Sequence, residues 1–343
     1  MTADSQCDRL SLQRLGLQHL PLLNQPWLEA LRPLLLQQLL NQGPQQLKQL
    51  LTPQQAASPP LAVIGRSQGG AIEAVLTAEA VNRSGSAWRI TNLVLSDHIS
   101  HRSLTSAQLV RQALELVPSA VSWLARIPSD DDGLLCGLRE QGFQALQHLR
   151  CWRLNSVDGL QGSDTLPSQF ELQPLERGNA ALLLQLELSV TPSHLRQMQD
   201  LRSEDLLADA QSGSLLLLDR ARHQAVAAAR LLRRRGPGPC EVELSLHPGW
   251  RHLQGPPLAH LLACSSQGRT PLRLRCDLRN SSGQEWLAQQ GAQPEHEELV
   301  LARTLWRRQE LPGLSSLANR TLERLVGQLQ PGQQPVPEAI QWR

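Results

Sequence analysis

The sequence predicts an α/β protein of two similar domains, each a mixed, mostly antiparallel sheet flanked by helices. Three observations carry that prediction. A strand–helix order that runs from about Leu10 to Leu154 restarts at Phe170. Between the two runs lies Ser156–Ser168, rich in Gly, Ser, Asp and Pro, the composition of a linker. The runs also echo each other in register, with Leu172, Gln173, Leu175 and Leu182 matching Leu12, Gln13, Leu15 and Leu22, and both close on a Trp-Arg pair, Trp152-Arg153 and Trp306-Arg307. The expected boundaries are residues 1–155 and 169–310 for the domains, 156–168 for the linker, and 311–343 for a C-terminal helix and tail.

In the first run, Leu10–Leu15 reads as a short strand. Leucines at helical spacing follow to about Leu51, interrupted near Pro26 and Gly43-Pro44, and Thr52–Pro60 connects. Leu61–Gly65 and Ala71–Val81 form a hairpin about Ser67-Gln68-Gly69-Gly70, and Trp88–Leu95 is the next strand. His101–Val117 has helical periodicity and Val121–Ile127 alternates as a strand. Asp130-Asp131-Asp132 then places negative charge at the start of a helix that ends at Gly142. Phe143–Leu154 completes the run.

In the second run, helices follow the opening strand, the second of them starting at Thr191-Pro192 and running to about Ala210. Leu215–Leu218 and Ala225–Arg233 make a hairpin. Val242, Leu244 and Leu246 alternate with Glu241, Glu243 and Ser245, a half-buried strand that His247-Pro248-Gly249 ends. Leu258, Leu261 and Leu262 then share one helical face. Leu272–Cys276 is a strand, Ser281–Gln290 a helix and Glu297–Trp306 the closing strand.

Composition excludes several classes. A net charge of +2, with Lys48 the sole lysine, argues against nucleic acid as a partner. The six cysteines form no Cys-x-x-Cys pair, so neither a metal site nor a disulfide framework is expected, and a reduced, cytoplasmic chain is. No apolar run reaches membrane-spanning length, and the first residues lack a basic stretch followed by an apolar core, so no membrane partner is expected. There is no tyrosine.

Between the strand at Cys240–Leu246 and the following helix lies Gln254-Gly255-Pro256-Pro257-Leu258-Ala259. A small-residue loop opening a helix can aim backbone N–H groups and the helix dipole at a pyrophosphate. This segment resembles the acyl-CoA-binding motif of the GNAT acetyltransferase superfamily, Gln/Arg-x-x-Gly-x-Gly/Ala, with Pro257 where the inner glycine belongs. Arg102–Ala107 is its counterpart in the first half. Asn280-x-x-Gly283-x-x-Trp286-Leu287-x-x-x-Gly291-Ala292 resembles a later pattern of the same family. Leu287, and Leu138 in the first half, stand where the family usually has a tyrosine that protonates the departing thiolate.

What the resemblance implies is a tandem pair of GNAT-like domains. The second would be the competent N-acyltransferase, moving an acetyl group from acetyl-CoA to a small-molecule or protein amine, without a metal. Glu243, on the fourth strand, and His247 at its end are the candidate proton acceptors, Glu243 with a pKa raised by burial. Leu246, Gln254, Gly255, Leu258, Ala259 and Asn280 are the candidate acetyl-CoA contacts. Two other readings use the same fold: a non-catalytic ligand-binding module, and an interaction protein that no longer binds coenzyme A. The acceptor and the oligomeric state are not legible.

Overall fold

The computed structural model describes residues 10–40, 58–157, 160, 166–233 and 238–305. Residues 1–305 form one compact unit; the second, 306–343, lies outside the described residues, and with it Trp306-Arg307 and the expected C-terminal helix. Gly43-Pro44, most of Thr52–Pro60 and part of the expected linker also fall outside them.

Strands β1 (Ser11–Arg14), β2 (Leu61–Arg66), β3 (Ile72–Ala80), β4 (Ala87–Leu95), β5 (Ser122–Pro128) and β6 (Gln144–Leu154) belong to the first half. The second half contributes β7 (Phe170–Pro174), β8 (Leu215–Asp219), β9 (Gln224–Leu231), β10 (Cys240–Leu246), β11 (Leu272–Asp277) and β12 (Gln293–Thr304). Helices α1 (residues 32–40), α2 (Arg102–Leu116) and α3 (Asp132–Glu140) flank the first half. Helices α4 (Ala180–Val190), α5 (Ser193–Gln199), α6 (Ser203–Asp209), α7 (Pro256–Ser266) and α8 (Ser281–Gln289) flank the second.

The sheet is mixed and mostly antiparallel, as expected; among the described residues only β4–β5 and β10–β11 pair in parallel. It is also continuous. Its order is β1-β2-β3-β4-β5-β12-β6-β11-β10-β9-β8-β7. Each half gives its closing strand to the other: β12 lies beside β5, with Val300 opposite Arg126, and β6 lies beside β11, with Cys151 opposite Arg275. The expected sheet for each half is therefore corrected to one shared sheet whose centre is the β12–β6 pair. The exchange leaves neither closing strand as an unpaired edge.

Helices cover both faces. On one, Leu109, Val110 and Leu138 pack with Trp123, and Leu258, Leu261 and Leu262 with Leu272 and Leu274. On the other, Leu28 and Leu35 meet Ile64 and Val75, and Leu183, Leu186 and Leu206 meet Leu216 and Ala228. The shared plan is sharpest around α3 and α8. Asp131 and Asn280 cap them, accepting the N–H of Leu134 and of Gly283 at 3.0 Å each. Gly142 (φ +80°) and Gly291 (φ +78°) end them in the left-handed conformation that glycine adopts without strain.

Three expectations change. The first leucine-rich stretch is not a regular helix at its start: Leu17–Asn24 is a run of 3₁₀ turns with Pro21 inside. The helix expected from Thr191 to Ala210 is two, α5 and α6, because Asp200 takes φ 44°, a conformation Asp tolerates better than most residues. And by strand register Trp152, opposite Leu274, corresponds to Leu301, opposite Ala125, so the duplicated Trp-Arg pairs do not mark equivalent positions.

Candidate functional site

Parallel strands β10 and β11 pair only from Cys240–Leu272 to Val242–Leu274 and then diverge. The wedge so formed opens into a cavity of about 1440 Å³. Its walls are Glu243, Leu244, Ser245 and Leu246 of β10, Arg275, Cys276 and Asp277 of β11, and Gln254 and Leu258 at the start of α7. Asn280 at the start of α8 completes that side. Across the cavity stand Glu187 of α4 and, from the first half, Arg89, Arg126 and Gln147.

The structure thus brings Glu243, Leu246, Gln254, Leu258 and Asn280 to one cavity, while His247, Gly255 and Ala259 do not line it. Nδ1 of His247 accepts the Gly249 N–H at 3.1 Å, a turn-capping role. Nε2 of Gln254 donates to the Ser282 carbonyl at 2.6 Å, tying the start of α7 to that of α8. Gly255 is extended (φ 167°), and a Cβ placed there would meet nothing within 4 Å beyond its chain neighbours. Ala259 is fully buried and donates its N–H to the Gly255 carbonyl at 3.0 Å. Because α7 begins with Pro256-Pro257, Leu258 is the first residue of the helix with an N–H to offer.

Glu243 does not have the raised pKa expected of it. Burial pushes in that direction, but the guanidinium groups of Arg230 and Arg126 outweigh it and hold the carboxyl below its usual range. Arg230, itself buried, is ion-paired with Glu243 and lies 3.6 Å from Asp209. The raised carboxyl is Glu187, which the sequence reading missed. Burial, then the neighbouring charge of Glu243, push it up to about 7, while Ser245 Oγ donates to it at 2.7 Å. One sequence signal points to it: Glu187 follows Leu183 by one helical turn on the stripe of α4 that faces the sheet.

In the first half the equivalent region is closed on the side of α2 and α3, although Thr91, Asn92 and Arg126 at the strand parting line the same cavity. Strands β4 and β5 pair from Ala87–Ser122 to Ile90–Ala125 and also diverge. At the start of α2, however, Arg102 is paired with Asp131 at 2.9 Å and Ser103 Oγ donates to Glu140 at 3.1 Å. Helix α3 approaches so closely that a Cβ at Gly137 would lie 1.9 Å from Ser106 Oγ. The space beside Leu104 and Thr105 is about 10 Å³, at most one water.

Cys151, His296 and Glu298 bring three ligand-type atoms within 4.8 Å of one another. Burial and then Glu298 push the Cys151 thiol up to about 12, so it stays protonated. Glu298, despite its own burial, is held down to about 2 by Arg275, 2.8 Å away. A cation there would compete with that guanidinium.

No family model matches the sequence, and no curated protein does. Three solved structures are similar to the whole arrangement. A tandem GNAT protein from the clavulanic acid biosynthesis pathway superposes with a TM-score of 0.50 at 14% identity, over 87% of this chain and 99% of that one. A Drosophila protein gives 0.51 at 14%, over 87% and 99%. The GCN5-related glucosamine N-acetyltransferase region of a fungal multi-domain GH3 β-N-acetylglucosaminidase gives 0.52 at 11%, over 86% of this chain and 38% of that one. At these identities the likeness is one of fold: two GNAT units in tandem. Among the described residues no helix is long and apolar enough to cross a membrane.

Proposed function

We propose that this tandem GNAT-fold chain is an N-acyltransferase that uses acetyl-CoA, with its site in the second half. The observation that carries the proposal is the wedge between β10 and β11. It is open, and it leads from the start of α7 to a carboxylate pair, Glu187 and Glu243. Acyl transfer to an amine needs those two things together, a slot for an extended thioester and a proton acceptor beside it.

The residues present fit an acyl-CoA in a particular way. The empty space at Gly255 leaves room for a bulky group against the backbone, and Leu258 supplies an N–H at the positive end of α7. Leu246 and Leu258 would flank the apolar part of the arm, with Gln254 and Asn280 bordering the slot. Pro256 and Pro257 take two donors from the usual pyrophosphate cradle, so affinity would rest more on the arm than on phosphate contacts. When bound, acetyl-CoA supplies an activated acyl carbon.

The protein's own part is to hold the amine and take its proton. The new C–N bond forms at the acyl carbon as the C–S bond breaks, giving amide and free coenzyme A. Glu187, with a pKa of about 7, is suited to accept the amine's proton near neutrality. Glu243, kept ionised by Arg230, raises the basicity of Glu187, and Ser245, two residues along β10, orients Glu187 by donating to it. With Leu287 at the position of the usual tyrosine, the departing sulfur takes its proton from water.

The test is thiol release with a panel of amines across pH. Glu187→Gln should lower turnover on the order of 10²–10⁴ and remove a rise through about pH 7. Glu243→Gln, by removing a neighbouring negative charge, should move that rise to lower pH. An unchanged acidic limb in both variants overturns the assignment. The non-catalytic reading keeps one specific support, the paired prolines and the engaged Gln254 side chain; acetyl-CoA binding without turnover on any amine would establish it.

A further inference from the structure

The two halves place an arginine at one equivalent point, and only one of the two is neutralised. Arg126 and Arg275 each stand five residues before a helix cap, Asp131 and Asn280, and each is the first residue beyond the last parallel pair of its strand. Arg275 is held bidentately by Glu241, at 2.9 and 3.0 Å, and by Glu298 at 2.8 Å. In the first half Arg89 occupies the place of Glu241, since both lie one residue before the end of the parallel pairing. Leu149 occupies the place of Glu298, the two facing each other across the β12–β6 pair at the centre of the sheet. Both counter-ion positions of Arg126 are thus basic or apolar.

Among the described residues the Arg126 side chain has neither a hydrogen-bond nor an ion-pair partner, although it is half-buried and lines the cavity. The acids near it are committed elsewhere: Glu243 to Arg230, Glu241 to Arg275, and Glu79 stands opposite Arg89 in the β3–β4 register. Burial, then Arg275 and Arg89, lower its pKa to about 10 against the opposing pull of Glu243 and Glu241.

We infer that Arg126, with the field of Arg89 behind it, binds the anionic group of the molecule that occupies the cavity, a carboxylate or a phosphate presenting paired oxygens to the guanidinium fork. Glu187 and Glu243 face the same space, so the ligand that suits both ends is an amine carrying an acid group. Naming it the acceptor rests on the acyl-transfer reading; the anion site does not.

The experiment is calorimetric titration, at low ionic strength and without acyl donor, of succinate and, separately, of inorganic phosphate into the full chain. The expected result is binding of one probe in the range of about 1 mM or tighter, which also tells carboxylate from phosphate. Arg126→Gln should weaken it at least tenfold. Arg89→Glu, which copies the second half's own counter-ion, should do the same while leaving the melting temperature within a few degrees of the parent. Binding of neither probe, or equal binding by the parent and Arg126→Gln, overturns the proposal. Binding lost as expected in both variants, with no thiol release from any amine tried, upholds the anion site and sinks the acyl-transfer reading instead. Turnover that is no faster with glycine, β-alanine or phosphoethanolamine than with ethylamine removes the acceptor assignment.

Discussion

The two halves share a plan and differ at the wedge. In both, the fourth and fifth strands pair in parallel and then part, and an arginine stands at the parting. In the first half the space is closed by Arg102–Asp131, by Ser103 on Glu140, and by the near contact of α2 with α3 at Gly137. In the second it stays open: α7 begins later, after the Pro248–Leu253 turn and with two prolines at its start, and Gln254 ties that start to α8. Backbone geometry alone therefore does not make a site. Which side chains occupy the wedge decides, and the same rule separates a structural arginine from one that binds.

Removing the structural arginine should have the largest effect. Arg275→Ala leaves buried Glu298 and half-buried Glu241 without their cation, at a cost of roughly 3–5 kcal/mol, read as a drop in the denaturation midpoint. Glu298 adds a pH signature. Its folded pKa, about 2, lies below the unfolded value, so its stabilisation is present at neutral pH and fades as pH falls from about 4.5 toward 2. A parent whose stability is flat across that window contradicts the pairing.

Glu187→Gln comes next and has the opposite sign. Glu187 has a folded pKa near 7, above its unfolded value, so the parent loses stability as pH rises from about 4.5 through 7. The glutamine variant lacks that loss and still accepts from Ser245. It should gain on the parent by on the order of 1–3 kcal/mol between pH 5 and pH 8, measured by urea unfolding at each pH. A constant difference between the two proteins would place Glu187 in an ordinary solvated setting.

The smallest effect belongs to Arg126→Ala. With no ion pair to lose, and with relief from Arg275 and Arg89 set against the lost attraction to Glu243 and Glu241, it should change stability by less than about 1 kcal/mol. A cost like that of Arg275→Ala would show that the two arginines do the same work.

Much of this was legible in the residues. The hairpins, the alternating strands, the acidic cap at Asp131 and the closing Gly142 all rest on local chemistry, and the structure has them where the sequence puts them. The strand exchange was not legible, because β6 and β12 each alternate in a way that satisfies any antiparallel neighbour, and only contacts far apart in sequence choose between them. Glu187 was hidden in a leucine-rich helix, where a lone carboxylate reads as solvent-facing. The low pKa of Glu243 was in principle readable from the β9–β10 hairpin, whose register sets Arg230 directly opposite. Burial was weighed there without its partner.

The central claim is that one wedge of the two receives an acyl-CoA, and calorimetric titration of acetyl-CoA into the full chain tests it most directly. Since each half completes the other's sheet, the intact chain is the proper sample. One site per chain is expected, abolished by Gly255→Asp, whose Cβ has open space around it and whose charge faces the ligand's phosphates, and retained in Ser103→Asp. Two sites per chain, no binding at all, or loss in Ser103→Asp but not in Gly255→Asp would contradict it.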